Sequence, residues 1–560
     1  MEYGQNNTRR TKGLIICGVL LLSAISASWT LSERPLNNHE CFVSITAREM
    51  LESGDWIRPT CNGESRLQKT PLCYWLVAGL AQITGNVDEF TARLPSAVFG
   101  VLSVIAILYF VSQWFSVRAA AISAAVWATS IGYTTYTHNA RPEMALTFFV
   151  LLCFLSFHSA ITAKDQRKQF LYMLVFWISF ALGNLAKGPA PLPLVLIPLF
   201  FYVSISRQWK KLFNWTSVIG VIIFLAIVLP WPLAMAQKLN WDLTLWKKEF
   251  VDRFLGDYVP GHKPIYYYLL EMFIFIAPWV AFLPMAMAAP FFKVWNKKQS
   301  AMQILWLWFV VDLVFITISG GKRQHYILPL MPAAAILIGI LLEDMIFVRK
   351  AYTQKYVRDV LRNHIVALII AAIAGPIYVA KAYPELLTGA IITGAVTIAA
   401  VAVIALLFAM GKPGFACSAT FAGIVVLIMI SYVIFVNPLN YNQSSRDFTR
   451  IVVEKVSAAE RQDLAEGGPA SEKLIAYKSA STRFIHYFGK RVPEIATEAE
   501  TYRLYNEGCW VVAFGQYLDE LIKSGQFEVV YTQEEAERHK GNIVYGALLH
   551  KSAKPAEGNM

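Results

Sequence analysis

Charged residues are scarce in this 560-residue chain: Asp, Glu, Lys and Arg make up only 16% of it, against 56% hydrophobic residues. A soluble domain usually carries about 25% charged residues. The apolar runs here are long, and the mean hydropathy is +0.45. This composition excludes an ordinary soluble protein and predicts a polytopic membrane protein.

The chain also lacks the motifs of several common function classes. Its seven cysteines form no CxxC pair and no Cys/His ligand spacing, which argues against a metal-finger site. It has no Walker-A loop and no glycine fingerprint of a dinucleotide-binding fold, so no nucleotide cofactor is expected. The net charge of +12 comes mostly from basic clusters beside apolar segments, without interleaved aromatics. It therefore gives no indication of nucleic-acid binding.

The long apolar runs approach the length of about 20 residues that a membrane helix requires. We predict about thirteen spans, at roughly residues 13–31, 94–115, 118–136, 142–163, 169–186, 189–206, 215–236, 265–292, 301–319, 326–347, 363–381, 386–411 and 415–436.

Basic residues predict how these spans are oriented. Clusters of Lys and Arg precede the first span and recur in alternate loops, for example at residues 164–168 and 207–211. By the positive-inside rule, these loops and the N terminus lie in the cytoplasm. An odd number of spans then places the residues after 436 outside the cytoplasm.

Two domains are expected. Residues 1–436 form a transmembrane domain, which includes an amphipathic first external loop at residues 32–93. Residues 437–560 look soluble, because apolar stretches near 473–477, 509–514, 527–531 and 543–548 alternate with helical patterns. The predicted fold class is therefore a mainly α, polytopic membrane protein with a small α/β extracytoplasmic C-terminal domain.

Two external carboxylates are candidates for chemistry. Glu40, just before a predicted helix at 41–53, is either a general base or metal-anchoring group, or an acid favoured there by the helix dipole. The neighbouring His39 either shares that work or is an exposed loop histidine. Glu143 follows Pro142 and is either the second acid of a two-carboxylate site or an acid that suits the first turn of a helix.

Basic residues also lie at the predicted outer boundary, against the positive-inside trend. Lys69, Lys187 and the Lys322-Arg323 pair occur there, and charge at membrane depth needs a reason. A phosphate or pyrophosphate headgroup would stabilise them through charge-assisted hydrogen bonds, and snorkelling to the interface is the alternative. Tyr326, which follows this pair, is either an interfacial aromatic or a sugar-stacking residue.

Several motifs of this chain, in this order, resemble those of two related groups of GT-C glycosyltransferases. These groups are the bacterial aminoarabinose lipid A transferases and the bacterial relatives of protein O-mannosyltransferases. The resemblance covers about the first 350 residues. It is carried by NHECFVSITAREMLESGDWIRP, RLQKTPLCYW, TARLPS, RPEMALTFF, LAKGP, LPWPLAMAQ and GGKRQHYILPLMP.

The resemblance implies a GT-C fold of about thirteen spans, a polyprenyl-phosphate sugar donor and inverting transfer. It also implies amphipathic helices in the first external loop and a periplasmic C-terminal domain. By motif position, Glu40 falls in the family's Asp-Glu dipeptide, Lys69 on its first-loop lysine, Glu143 on its second-loop acid, Lys187 on its Lys-Gly, and Tyr326 on the tyrosine after the Lys-Arg turn.

The chain departs from the family at two of these positions. The family's first acid is usually Asp and is replaced here by His39, and the second-loop acid is usually Asp and is Glu143 here. These departures indicate a subgroup with its own sugar or acceptor, so neither aminoarabinose nor lipid A is assigned.

The expected reaction moves a sugar from the polyprenyl phosphate to an envelope acceptor, either a lipid A-like glycolipid or a protein, at the outer face of a bacterial inner membrane. The basic residues named above bind the donor phosphate, and Glu40, with His39 or Glu143, takes the acceptor's proton. No metal site is assigned, and participation of a divalent cation is left open. The alternative is a transporter or flippase of polyprenyl-linked sugars, which would place polar, broken helices near the bilayer midplane.

Overall fold

The computed structural model describes residues 2–212, 215–240, 244, 263–348, 354–436, 443–465, 474–533, 537–539 and 542–550. The predicted C-terminal domain is thus described only in part, and residues 437–442 and 551–560 lie outside the described residues. The helices are α1 (Glu2–Ser28), α2 (Asn38–Ser53), α3 (Leu72–Thr84), α4 (Glu89–Trp114), α5 (Val117–Ala128), α6 (Ile131–Thr137), α7 (Glu143–Thr162), α8 (Gln166–Lys187), α9 (Pro191–Ser206), α10 (Trp215–Val228), α11 (Pro230–Lys238), α12 (Tyr267–Ile276), α13 (Leu283–Ala288), α14 (Gln299–Ile318), α15 (Met331–Glu343), α16 (Gln354–Ala382), α17 (Leu387–Ala409), α18 (Pro413–Ser431), α19 (Gln443–Ala465), α20 (Thr482–Phe488), α21 (Glu498–Asn506) and α22 (Gln516–Ser524). The strands are β1 (Thr60–Cys61), β2 (Glu64–Ser65), β3 (Leu474–Tyr477), β4 (Glu494–Ile495), β5 (Trp510–Phe514), β6 (Val529–Thr532), β7 (Glu537–His539), β8 (Asn542–Val544) and β9 (Gly546–Leu549).

Long apolar helices dominate the described part of the chain. Ten helical stretches there are long and apolar enough to cross a membrane, or eleven if α12 and the following helices, bent by 114° at Ala277-Pro278, form one span. The predicted spans at 118–136 and 189–206 contain the shorter apolar helices α5 and α9. The prediction of a mainly helical, multi-pass membrane protein is confirmed, and the count of about thirteen spans stays a prediction.

The chain divides into two compact units. The membrane unit comprises Met1–Leu31, Leu67–Gly79 and Arg93–Pro438. The second unit comprises Ser32–Arg66, Leu80–Ala92 and Leu439–Met560. Most of the predicted first external loop thus groups with the C-terminal part of the chain, although the functional division into domains stays a prediction.

Small residues let two helices of the membrane unit approach closely. Helix α5 is rich in alanine and packs along α15, whose Gly339 faces Ser123. A Cβ atom at Gly339 would lie 2.2 Å from the Ser123 Oγ and 2.3 Å from its Cα. The Ser123 hydroxyl also donates a hydrogen bond to the Ile336 carbonyl, at 3.2 Å. Close backbone approach over small residues is a common way to pack helices in a membrane, where dispersion contacts replace the hydrophobic effect.

The second unit contains a five-stranded sheet in the order β4-β3-β5-β9-β6. Strands β4, β3 and β5 are parallel, and β9 is antiparallel to both β5 and β6. The apolar stretches near 473–477 and 509–514 form β3 and β5, the stretch near 527–531 overlaps β6, and the stretch near 543–548 overlaps β8 and β9. Alternating apolar residues therefore located four of the five strands of this sheet but not the short β4, and Val511, Ala513, Ala547 and Leu549 fill the core beneath the sheet.

Gly339→Ala should destabilise the membrane unit, because the added methyl group would collide with backbone atoms of Ser123. Overpacking of this kind typically costs about 1–3 kcal/mol. The matched control is Gly375→Ala in α16, where nothing lies within 4 Å of the added Cβ. The measurement is the thermal unfolding midpoint of the purified protein in detergent. Equal midpoints for the two variants would contradict the close packing of α5 and α15.

Candidate active site

The membrane unit places a buried ion pair at one end of the helical hairpin formed by α7 and α8. Only three residues join these helices, so the first residue of α7, Glu143, and the last residue of α8, Lys187, fall at the same end. The Lys187 Nζ lies 3.1 Å from the Glu143 Oε1. The residue Glu143 is only 1% exposed. Each charge also suits its helix terminus, because the dipole favours an acid at the N-terminal end and a base at the C-terminal end.

Two further residues complete the surroundings of the Glu143 carboxylate. The Arg141 Nε lies 3.5 Å from Oε2, and the His325 Nε2 lies 3.5 Å from Oε1. Lys69 also interacts electrostatically with both Glu143 and His325. A buried carboxylate is tolerated only when it is paired, and Glu143 lies within salt-bridge distance of two cations, Lys187 and Arg141.

Hydrogen bonding places the Lys69 segment beside the end of α8. The Thr70 hydroxyl accepts a hydrogen bond from the backbone N–H of Gly188, at 2.9 Å. Gly188 has a positive φ of 63° and ends the helix just after Lys187. The segment that carries Lys69 is therefore anchored to the Lys-Gly turn, which explains why two basic residues far apart in sequence come together.

The Lys322-Arg323 turn contributes to the same cluster in unequal ways. The Lys322 Nζ donates to the Ser319 carbonyl of its own turn, at 3.0 Å. Arg323 interacts electrostatically with Lys187, and its backbone N–H and carbonyl both contact the Tyr268 hydroxyl at 3.0 Å. Tyr268 thus anchors the turn. Of the two basic side chains in this turn, that of Arg323 interacts with the cluster, whereas that of Lys322 is bonded within the turn.

Tyr326 offers an aromatic face to the cluster. The Lys187 Nζ lies 5.4 Å from the centre of the Tyr326 ring, within the range of a cation–π interaction. The His325 ring packs edge-on against Tyr326, with 4.9 Å between ring centres. The aromatic residue predicted from sequence therefore contacts the predicted lysine directly.

Positive charge exceeds negative charge in this cluster. Four cations and two carboxylates interact within it or next to it, in the part of the membrane unit that the structure describes. The cations are Lys69, Arg141, Lys187 and Arg323, and the carboxylates are Glu143 and Glu271, the latter acting on Tyr268. Such a net excess at the end of membrane helices suits an anionic ligand.

The thiol of Cys73 lies near this cluster but is poorly suited to nucleophilic chemistry. Burial raises the pKa of Cys73 to about 12, and the negative charge of Glu143 acts in the same direction. Since the thiolate is the reactive form, Cys73 stays protonated and inert at neutral pH.

Glu40 and His39 belong to the second unit, at the start of α2. Asn37 caps this helix: its side-chain oxygen accepts from the backbone N–H groups of His39 and Glu40, at 3.0 and 3.2 Å. In return, the Glu40 Oε2 accepts from the Asn37 backbone N–H at 2.9 Å and from its side-chain amide at 2.8 Å. This is a capping box, and Glu40 is fully buried within it, while His39 is exposed.

Contacts with α20 hold α2 in place within the second unit. The Ser44 hydroxyl and the His486 Nδ1 are 2.9 Å apart, and the Arg48 guanidinium donates to the carbonyls of His486 and Ile485. The Leu36 backbone N–H donates to the Tyr487 hydroxyl, at 2.8 Å. The segment that carries Glu40 is therefore fixed at both its cap and its middle.

The structure thus brings together Lys69, Glu143, Lys187, Arg323 and Tyr326, and it places Glu40 and His39 in the other unit. Sequence reasoning missed Arg141 and His325. His325 directly precedes Tyr326, and Arg141 lies two positions before Glu143, so closeness in sequence to a chosen residue was the available signal. Among the described residues, no group of three or more His, Cys, Asp or Glu side chains is arranged to hold a metal ion.

Comparison with known proteins agrees with the sequence motifs. The profile of the dolichyl-phosphate-mannose-protein mannosyltransferase family matches residues 68–233. The undecaprenyl phosphate-alpha-4-amino-4-deoxy-L-arabinose arabinosyl transferase of Pseudomonas aeruginosa (strain LESB58) is 27% identical over 316 residues, which cover 54% of this chain and 56% of that protein. A second such transferase, from Pseudomonas fluorescens (strain ATCC BAA-477), is 28% identical over 341 residues, covering 58% of this chain and 56% of that protein. The chain spans little more than half the length of these curated relatives.

Solved structures extend the likeness to nearly the whole chain. The crystal structure of ArnT from Cupriavidus metallidurans bound to undecaprenyl phosphate matches with a TM-score of 0.77 and 17% identity, covering 95% of this chain and 97% of that one. The apo structure of the same protein matches equally well, with 16% identity and coverage of 97% and 98%. At this identity the likeness concerns the fold.

The protein is therefore a multi-pass membrane protein with a fold of the GT-C type. Within that class, its sequence and fold resemble the aminoarabinose transferases and the protein mannosyltransferases, as the motifs predicted. None of the relatives named here supports the transporter alternative.

Lys187→Met should strongly destabilise the membrane unit, because it leaves Glu143 buried without its nearest partner. Breaking a buried pair typically costs about 3–5 kcal/mol. The double variant Glu143→Gln/Lys187→Met should lose less than the sum of the two single variants, with a coupling of roughly 0.5–3 kcal/mol in the free energy of unfolding.

The matched control is the exposed pair Lys478–Glu520 of the second unit, at 2.5 Å with side chains 36% and 43% exposed. Its coupling should stay below about 1 kcal/mol, because solvent screens exposed pairs. Additive losses at Glu143 and Lys187 in denaturant titrations would show that the two residues do not act as a pair.

Proposed function

We propose that this protein is an inverting glycosyltransferase that moves a sugar from a polyprenyl-phosphate donor to an envelope acceptor. The observation that carries the proposal is the buried, net positive cluster around Lys187 and Glu143. A lipid phosphate is the anion that both lies in a membrane and needs several cations at one end of the bundle. The named relatives use undecaprenyl- or dolichyl-phosphate sugars by their names, and this shared donor chemistry supports the same class here.

The cluster assigns different tasks to its residues. Lys69, Lys187 and Arg323 would hold the donor phosphate and stabilise the charge that grows on it as the glycosidic bond breaks. Tyr326 would orient Lys187 and offer a stacking face. Because Glu143 is already paired with Lys187 and His325, its carboxylate is a weak base, so we assign it to positioning the cations.

Glu40 is the residue we propose as general base, with the adjacent His39 as a second group. The capping box accounts for Oε2 of Glu40, and it fixes the carboxylate at the first turn of α2. The acceptor hydroxyl or amine would lose its proton to this group as it attacks the anomeric carbon, and the lipid phosphate would leave.

We further propose that the reaction takes place at the outer face of a bacterial inner membrane. The N terminus would lie in the cytoplasm and the C-terminal domain in the periplasm, as the alternation of basic loops suggests. The acceptor is either a lipid A-like glycolipid or a protein. Mass spectrometry of glycolipids and glycoproteins from cells with and without the gene tests the proposal, and an unchanged envelope would contradict it.

Glu40→Gln should abolish transfer while the protein stays folded and still binds undecaprenyl phosphate. A glutamine oxygen can accept the same two bonds from Asn37, so the helix cap survives while the basic group is lost. The measurement is transfer of labelled sugar by purified protein, together with its thermal midpoint. Asn37→Ala is the control, since it removes the cap and should lower stability by about 1 kcal/mol. Full activity of Glu40→Gln would leave Glu40 a purely structural role.

Lys69→Gln should weaken binding of undecaprenyl phosphate about tenfold or more, since a hydrogen bond to a charged group is worth about 1.5–3 kcal/mol. Lys322→Gln is the matched control, because the Lys322 ammonium is bonded to its own turn. Its effect should be several-fold smaller. Both dissociation constants can be measured by native mass spectrometry or tryptophan quenching, and equal losses would contradict the assignment of Lys69 over Lys322.

A further inference from the structure

The membrane unit contains an apolar cavity that the proposed chemistry does not use. Its volume is about 790 Å³, and it lies among α7, α8, α9, α10 and the 3₁₀ helix Trp209–Lys211. Of the fourteen described residues that line it, Ser217 alone is polar, and aromatic side chains such as Phe176, Trp177 and Trp209 make up much of the wall. The rim residues Phe200 and Trp215 are 55% and 80% exposed, so the cavity is accessible from the surface of the bundle.

This cavity lies at the opposite end of the helices from the candidate active site. Phe157 lines it and is fourteen residues along α7 from Glu143, and Met173 lines it fourteen residues before Lys187 on α8. At 1.5 Å per residue, each separation is about 21 Å along the helix. The cavity therefore lies toward the connection between α7 and α8, away from the end that carries Glu143.

Basic residues surround this end of the cavity. In the connection from α9 to α10, Trp209 and Leu212 line the cavity, while Arg207, Lys210 and Lys211 are exposed. Near the connection from α7 to α8, the exposed residues Lys164, Arg167 and Lys168 add positive charge; the last two lie in the first turn of α8, and Asp165 is the one acid among them.

A hydrogen bond links the connection between α9 and α10 to the end of α7. The Lys211 ammonium donates to the Ile161 carbonyl near the end of α7. Apolar side chains thus face the cavity and cations face outward from the same short turn. Basic loops alone follow from the positive-inside rule, but basic loops that frame an apolar, lipid-accessible cavity match a site for an anionic lipid headgroup and its chain.

We propose that this cavity binds one acyl chain of an anionic glycerophospholipid, with the lipid phosphate beside Lys210 and Arg207. The second chain would stay in the bilayer against the exposed faces of Phe200 and Val218, which are 55% and 49% exposed. The bound lipid would fill the gap between α8, α9 and α10. This proposal does not depend on the reaction proposed above.

The test measures lipid binding to the purified, delipidated protein by native mass spectrometry. The probes are phosphatidylglycerol and phosphatidylcholine with identical chains, so that only the headgroup charge differs. Wild-type protein should bind phosphatidylglycerol more tightly. Arg207→Gln/Lys210→Gln should weaken that binding about thirtyfold and leave phosphatidylcholine unchanged, since the variant removes two cations and each cation near an anionic headgroup contributes about 1 kcal/mol. The control pair Lys297→Gln/Lys298→Gln, exposed in a different loop, should have little effect.

A second variant tests the cavity itself. Leu196→Trp would fill it from a lining position that is 45% exposed, and it should weaken binding of both phospholipids. Ile222→Trp is its control, on the same bundle surface at 61% exposure but outside the lining. Thermal midpoints identify any variant that fails to fold. If Leu196→Trp fails to fold, binding to the Arg207→Gln/Lys210→Gln variant still tests the proposal.

Three results would overturn the proposal. One is equal binding of the two phospholipids to the wild-type protein, and another is an equal loss in the variant and its control. The third is displacement of phosphatidylglycerol by undecaprenyl phosphate in the wild type, together with weaker binding of undecaprenyl phosphate to Leu196→Trp but not to Ile222→Trp, which would assign the cavity to the prenyl chain of the donor.

Discussion

The need to pair a buried carboxylate inside a membrane protein organises the site. Glu143 begins α7 at almost zero exposure, and it can remain charged there because the cations of Lys187 and Arg141 lie beside its carboxylate. The contacts of Glu143 with Lys187 and His325 place the start of α7 beside the end of α8 and beside the turn that carries His325. The cluster contains more cations than its carboxylates neutralise, so positive charge is available to bind an anionic ligand.

Two kinds of packing keep this arrangement rigid. Glycine and alanine let α5 and α15 approach until backbone atoms touch, so the centre of the membrane unit has little freedom to shift. At the end of α8, the bond between Thr70 and Gly188 ties the segment with Lys69 to the turn after Lys187. Lys187 is thus held at the end of a helix, and Lys69 is held near it through the hydrogen bond of the neighbouring Thr70, which is the kind of support that preorganised binding of a phosphate requires.

Much of this could be predicted from the sequence, because each signal was local. Runs of about 20 apolar residues located the long helices, and alternating apolar residues located β3 and β5. The pairing of Lys187 with Glu143 was not predicted: the rule that charge at membrane depth needs a reason selected both residues, but it assigned Lys187 to a phosphate and Glu143 to a second acid. Arg141 was not predicted as a site residue, because in the sequence it resembles an ordinary arginine at a membrane boundary and the burial of Glu143 is not visible there.

Other features depended on contacts between distant parts of the chain, which no local pattern reveals. The bond from Ser44 to His486 joins residues 442 positions apart, and it holds the helix on which Glu40 lies.

The apolar helices α5 and α9 show a limit of predicting spans from composition. Each lies in a predicted span of about 20 residues, but the helices themselves have only 12 and 16 residues. The sequence also did not distinguish Lys322 from Arg323. In the structure the Lys322 ammonium donates to the Ser319 carbonyl of its own turn, whereas Arg323 interacts electrostatically with Lys187.

The composition of the second unit has a consequence for how the protein is made. Helix α2 leaves the ribosome early, but its partners Ile485, His486 and Tyr487 are synthesised more than 400 residues later. At 5–20 residues per second, that interval is roughly 20–90 s. During synthesis Leu36, Ser44 and Arg48 must wait for these hydrogen-bond partners while most of the membrane helices are made, so a chain truncated before residue 485 would leave the segment bearing Glu40 without these contacts.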